Sequence, residues 1–387
     1  MPAPETPNPP SPDQTDRQIR RYWLAAIAFS LLCTLLIIVL IARSMLGAPL
    51  SRSNQTIINS PEELTEYEAA YQRFADAEGW GKLQYVPTGV YVKSLEFTGP
   101  YNVRATGYVW QRYGKDIPPD VRRGVVFPEA EKPELTEAYR IKQGEEELIG
   151  WYFVLNLREQ FDYSRYPFDQ QDVWFRLWHP DFVSNVVLVP DLKAYPSLNH
   201  ADLPGVEQGI VLEGWDLTES FFSYRPITYT TNFGFYETGV TASPDLYFNV
   251  GVQREILTPL LTQGVSPLVV LMLVFVTFLF FTRDHERRGA FGLSWSGVIG
   301  VWSGLFFATL VAQSGLRNQV KSESFVYLES LHILLYPLIL VVATVTTIVV
   351  VYPGFKILKY HDNVVPKLLY WPIVTSILLI ATIILFR

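Results

Sequence analysis

The sequence predicts a membrane protein: an extracellular or periplasmic β-sandwich followed by an all-α four-helix transmembrane bundle, plus one N-terminal transmembrane helix. Three observations predict it. Hydrophobic residues make up 49% of the 387 and charged residues only 18%, the balance of a membrane protein with a sizeable soluble part. Five long apolar runs stand at 23–42, 265–282, 291–312, 331–352 and 368–386. Between the first and the other four, the pattern is short strand-like alternation punctuated by Gly and Pro.

Residues 1–22 are rich in Pro, Asp and Thr, with little to bury, and read as a disordered cytoplasmic tail. The run 23–42 carries no charge and is long enough to span a bilayer, longer than the apolar core of a cleaved signal peptide. Arg17, Arg20 and Arg21 precede it and argue for a cytoplasmic N-terminus. Ser60, Pro61, Glu62 and Glu63 then mark a helix start, and Tyr67, Tyr71 and Phe74 recur on one helical face. Alternation takes over from Leu83 to Arg254, with strands predicted around Val90–Phe97, Val103–Tyr113 and Leu148–Leu157. Many short strands separated by turns predict a sandwich or barrel rather than βαβ units. The predicted sandwich domain is 60–256 and the helical domain 257–387. Lys and Arg cluster after the first and third C-terminal runs, at Arg283, Arg287, Arg288, Lys356, Lys359 and Lys367, which places those loops inside the cell and the sandwich outside.

Composition excludes several functions. The net charge is −7 and no basic stripe occurs, so a nucleic-acid partner is not expected. Cys33, the only cysteine, lies in an apolar run, so no intrachain disulfide or Cys-ligated metal site is possible. The histidines, His179, His200, His285, His332 and His361, are scattered, and no hydrolase, metalloprotease or phosphate-loop motif occurs. Neither catalysis, a cofactor nor a metal is expected. His332 alone lies within a span, where a histidine is expected to face other helices.

The stretch Arg165-Tyr166-Pro167-Phe168-Asp169-Gln170-Gln171 is unusual. A proline between two aromatics makes a stiff apolar knuckle, and an acid follows that needs a partner if buried. This motif resembles the signature loop of the pentameric ligand-gated ion channels, the Cys-loop receptor superfamily. In animal members a disulfide closes that loop; the matching positions here are Glu159 and Val173, as in prokaryotic members, which lack the bridge. The resemblance extends over about residues 60–387: Arg254 precedes Pro267 by thirteen residues, and Tyr327-Leu328-Glu329 opens the third C-terminal run. The run 23–42 departs from the usual pattern.

The resemblance implies three sites in a homopentamer. For coupling, Asp169 would pair with Arg254, and the loop Tyr166, Pro167, Phe168 and Asp169 would press on 316–323; the plainer reading is a clamp between domains. For agonist binding, Trp178, Asp181, Tyr229, Phe233, Phe235 and Tyr236 would form one face and Trp110 the complementary face of a cage that could hold an amine; the plainer reading is core packing. For conduction, Ser296, Gly300, Ser303, Phe307, Leu310 and Ser314 form one stripe at 100° per residue, polar at the inner end and apolar at Phe307 and Leu310. A second register, in which 288–294 resembles the start of the pore helix in anion-selective members, puts Gly297 at the gate; the sequence leaves both open, and with them a tightly packed, non-conducting helix. Arg287 and Arg288 favour anions, whereas Glu286 and the acidic soluble domain favour cations. The expected function is a ligand- or proton-gated channel for monovalent ions in a bacterial inner membrane. Its alternative is a non-conducting receptor of the same fold that signals through its extra N-terminal helix.

Overall fold

A computed structural model describes residues 12–47, 52, 55–181, 185–225, 227, 229–231, 233–234, 244–280, 295–321, 324–351 and 364–386, except for the side chains of 12–16, 278, 280, 295, 296, 298 and 349–351. Two compact units result, one holding Ala48–Asp162 and Asp169–Glu255, the other Met1–Gly47, Tyr163–Phe168 and Ile256–Arg387.

Among the described residues, the first unit is a β-sandwich with one α-helix. Its strands are β1 (Thr56–Ile58), β2 (Gln84–Gly99), β3 (Asn102–Tyr113), β4 (Glu134–Gln143), β5 (Glu146–Arg158), β6 (Gln170–Leu177), β7 (Val186–Pro190), β8 (Trp215–Arg225) and β9 (Asp245–Arg254). One sheet runs β1-β8-β9-β6 and the other β4-β5-β3-β2-β7. All pairs are antiparallel except β2 with β7, which run parallel from Gln84↔Val186 to Thr88↔Pro190. Alternation sends Val173, Phe175 and Leu177 of β6 to the core face beside Leu246, Phe248 and Val250 of β9. Phe175 meets Phe153 of the other sheet at 6.0 Å, and Tyr224 donates its hydroxyl to the Leu188 carbonyl at 3.0 Å.

The helix of this unit, α2 (Pro61–Ala77), starts as its sequence predicts. The Ser60 hydroxyl accepts from the Glu63 amide at 3.2 Å, and Glu63 reaches back to the Asn59 amide at 2.7 Å. This reciprocal arrangement satisfies donors that a helix start leaves orphaned. Tyr67 stacks on Tyr224 at 4.2 Å.

The second unit contains α1 (Pro12–Leu46), α3 (Val265–Phe280), α4 (Trp295–Val320), α5 (Glu329–Val351) and α6 (Val364–Leu385). α3 is entered through a π-helical turn, Leu260–Gly264. Among the described residues, five helices are long and apolar enough to cross a membrane, so the chain has the makeup of a membrane protein. Their shared core joins Val270, Leu271 and Val274 of α3, Trp302 of α4, Leu335 and Ile339 of α5, and Tyr370 and Val374 of α6. Tyr370 anchors its hydroxyl on the Leu271 carbonyl at 2.7 Å. α1 packs along α6, with Tyr22, Ala26 and Phe29 facing Leu368, Leu369 and Pro372.

The helix boundaries differ from the apolar runs in an instructive way. α1 begins at Pro12, so 12–22 is helical where composition predicts a tail. Proline suits a first turn, and the following Gln and Arg residues are good helix formers that extend the apolar run. α4 extends beyond Ala312 to Val320, through a polar segment that hydrophobicity alone leaves out.

Candidate functional site

Asp169 and Arg254 meet in the sandwich unit. Arg254 donates from Nε to Oδ1 at 2.6 Å and from Nη2 to Oδ2 at 2.9 Å, a two-pronged contact that fits the planar guanidinium. Gln171 adds a bond to Oδ2 at 3.2 Å, and the Arg254 amide donates to the Asp169 carbonyl at 3.2 Å. The Asp169 side chain is 1% exposed, so its charge depends on these partners. The guanidinium lies 4.0 Å from the Trp215 ring centroid, and the ring covers one face of the pair.

The knuckle before Asp169 belongs to the helical unit, although Asp162 and Asp169 on either side belong to the sandwich. Ser164 and Tyr166 accept from the Tyr327 and Leu328 amides at 2.8 and 3.3 Å. The Phe168 ring lies 6.1 Å from Tyr327 and 6.2 Å from Phe386. Arg165 donates to the Leu385 carbonyl at 3.1 Å and to Ser44 at 2.9 Å. The knuckle therefore seats on 327–328 and on the ends of α6 and α1. Expectation placed its contact at 316–323, of which 322 and 323 lie outside the described residues.

Three of the predicted cage aromatics come together in the sandwich unit. Trp178 lies edge-on to Tyr229 at 5.6 Å and to Phe233 at 6.1 Å, and Tyr229 and Phe233 are 5.4 Å apart. Beside two of these rings stands a residue that aromatic identity does not single out. Arg176 has its guanidinium carbon 4.7 Å from the Trp178 ring and 5.7 Å from Tyr229. Its Nε donates to Asp245 at 2.8 Å, its Nη1 to Glu129 at 2.9 Å and its Nη2 to the Tyr229 hydroxyl at 2.6 Å. Tyr229 in turn donates to Asp245 at 2.5 Å. Burial opposes the Arg176 charge, but Asp245, Tyr247 and Glu129 outweigh it and raise its pKa. Burial also raises the pKa of Asp245 and of Glu129, against the pull of Arg176. The missing signal was in the sequence: in Trp174-Phe175-Arg176-Leu177-Trp178, alternation puts Arg176 on the face of both tryptophans.

Of the other predicted cage residues, Asp181 and Trp110, the latter expected on the complementary face, have partners of their own. Asp181 accepts from the Arg122 amide at 2.7 Å and pairs with the Arg122 guanidinium; burial opposes its charge, but these bonds lower its pKa. Trp110 stands on β3, in the other sheet, held over Gly89, where any Cβ would fall 2.1 Å from the indole. Its ring nitrogen donates to Asp191 at 3.0 Å, which also accepts from Arg112 at 2.7 Å. Phe235 and Tyr236 lie outside the described residues.

The predicted stripe on α4 sits on one side of that helix. Gly300, Ser303, Phe307, Leu310 and Ser314 are all exposed in this unit, whereas Trp302, Thr309 and Leu316 are buried. The Ser296 side chain lies outside the described residues. Beside the stripe, Phe306 lies against Tyr336 at 5.2 Å and Gln313 accepts from the Tyr336 hydroxyl at 2.6 Å, while Trp302 enters the shared core.

Two further groups have unusual surroundings. Glu159 is buried, accepts from the Trp174 amide at 3.2 Å through Oε2, and among the described residues has no hydrogen-bond partner at Oε1. Burial raises its pKa well above the usual carboxylate range, against that backbone bond. His332 is fully buried near the start of α5, as expected of a histidine in a span, with Nδ1 3.3 Å from the Leu328 carbonyl. At the same end Arg317 of α4 forms an ion pair with the buried Glu329. No model of a known protein family matches the chain, and no curated protein matches it.

Proposed function

We propose that the protein is a homopentameric ion channel of the pentameric ligand-gated, prokaryotic type, opened by a small molecule or by protons acting on the β-sandwich. The observation that carries this reading is the face of α4 at Gly300, Ser303, Phe307, Leu310 and Ser314. That face is exposed within its own unit, as a helix lining a shared axis requires, whereas Trp302, Thr309 and Leu316 of the same helix are buried. Its polar-to-apolar order suits an ion path with a dewetting constriction at Phe307 and Leu310. The seat of Tyr166–Phe168 on 327–328, next to the Asp169–Arg254 pair in sequence, supports a coupling role for the knuckle. In this reading the sandwich lies outside the cytoplasm, α1, α3, α4, α5 and α6 span the inner membrane, and the N-terminus is inside.

A second reading has one observation in its favour. α1 packs along α6, so the extra helix is joined to the same bundle and could carry a signal without conduction. Thiol modification separates the two readings. Ser303→Cys should react with a charged thiosulfonate and block current in a channel; in a non-conducting receptor there is no current to block. The native Cys33 is buried and leaves little background.

A further inference from the structure

The aromatic cluster of the sandwich unit has the chemistry of a cation site, and its cation is already in the chain. Trp178, Tyr229 and Phe233 present three mutually tilted rings. The guanidinium of Arg176 lies against two of them. Three acceptors converge on it: Asp245 on Nε, Glu129 on Nη1 and the Tyr229 hydroxyl on Nη2. A different acceptor on each nitrogen demands a planar fork. An ammonium is a compact point charge and cannot offer three coplanar nitrogens to three fixed partners. Each ring face and each carboxylate adds attraction for a cation, and little water competes, because the Arg176 side chain is 13% exposed and that of Asp245 5%.

We propose that Arg176 is a tethered ligand: its guanidinium fills, from within the chain, a guanidinium-binding site built by Trp178, Tyr229, Phe233, Asp245 and Glu129. The site is selective for alkylguanidinium over alkylammonium cations, and a free cation enters it only when Arg176 is withdrawn. The expectation that this cage takes a free amine is thereby revised. The inference does not depend on whether the protein conducts.

The test is replacement and rescue in the full-length, detergent-solubilised protein. Arg176→Ala removes the tethered cation, and n-propylguanidinium and n-butylammonium are titrated calorimetrically at low millimolar concentration. The expected result is no binding of either to the wild type, and binding to the variant with at least a tenfold preference for the guanidinium. The same compound should raise the variant's melting temperature and leave the wild type's unchanged. Asp245→Asn combined with Arg176→Ala should abolish the rescue. If Arg176→Ala does not fold, Arg176→Gln, which keeps a hydrogen-bonding end of shorter reach, takes its place. Butylammonium binding to the wild type with an effect that Phe233→Ala removes would overturn the proposal. So would a folded variant that binds neither compound, or one that shows no preference between them.

Discussion

Removing Arg254 tests how far the sandwich relies on a single buried ion pair. Arg254→Ala deletes two charge-assisted bonds to Asp169, of 2.6 and 2.9 Å. The carboxylate then keeps Gln171 at 3.2 Å and stays out of water, since it is 1% exposed. Breaking a buried pair from one side costs roughly 3–5 kcal/mol, mostly the penalty of the orphaned charge. In a domain of this size each kcal/mol is worth roughly 2–4 °C, so the melting temperature should fall by about 6–20 °C. Trp215 reports on the event, because its ring lies 4.0 Å from the guanidinium. The assay is thermal unfolding of the full chain in detergent, followed by tryptophan emission. Asp169→Asn in the Arg254→Ala background should recover part of the loss, because it removes the unpaired charge. Arg254→Lys should recover less than the native residue, since an ammonium cannot make both bonds. A loss below about 1 kcal/mol in Arg254→Ala, or a double variant as unstable as the sum of the single ones, would refute the reasoning.

Glu159→Gln should stabilise the sandwich at neutral pH, by about 1–3 kcal/mol, because the amide can still accept from Trp174 and no longer carries a charge that burial opposes. With its folded pKa raised, Glu159 contributes most below the unfolded value of about 4.5 and loses that contribution as pH rises. Melting curves of wild type and variant should therefore diverge as pH is raised. His179 has the opposite sign: burial lowers its pKa to about 4, so unfolding takes up a proton between about pH 6.5 and 4, and stability falls as pH falls through that window. His179→Asn should flatten that fall, by up to about 3 kcal/mol across the window, read as the difference between the two proteins' pH–stability profiles. Thiol labelling should separate the two faces of α4: Ser303→Cys should react quickly and Thr309→Cys, which is fully buried, at least about tenfold more slowly.

Much of the architecture was legible in the sequence because its signals are long or periodic. Five apolar runs could not be mistaken for strands, and β2, β3 and β5 declared themselves by alternation. β4 did not: Glu134–Gln143 is exposed almost throughout, so no buried face imposes a pattern on it. β7 was passed over for the opposite reason, being five buried residues without alternation, paired parallel to β2. The stripe on α4 was readable from 3.6-residue periodicity, and Trp178, Tyr229 and Phe233 from aromatic identity. What the residue types did not convey was the company they keep. Asp181 is taken by Arg122 through a loop contact 59 residues away in sequence, and Arg176 enters the aromatic cluster because Glu129 and Asp245 converge on it from distant segments. Local pattern fixes which face a side chain occupies; long-range contacts decide its partner.

The central claim is that α4 lines an ion pathway in a pentamer, and current through the purified protein tests it most directly. Protein shown by mass measurement to be pentameric would be placed in planar bilayers and recorded while external pH is stepped and small cations and carboxylates are applied. The account predicts discrete openings, with Phe307→Ala shifting the equilibrium toward the open state because a smaller side chain wets the constriction. A folded protein of another oligomeric state would contradict it, as would a pentamer in which both wild type and Phe307→Ala stay silent under every condition.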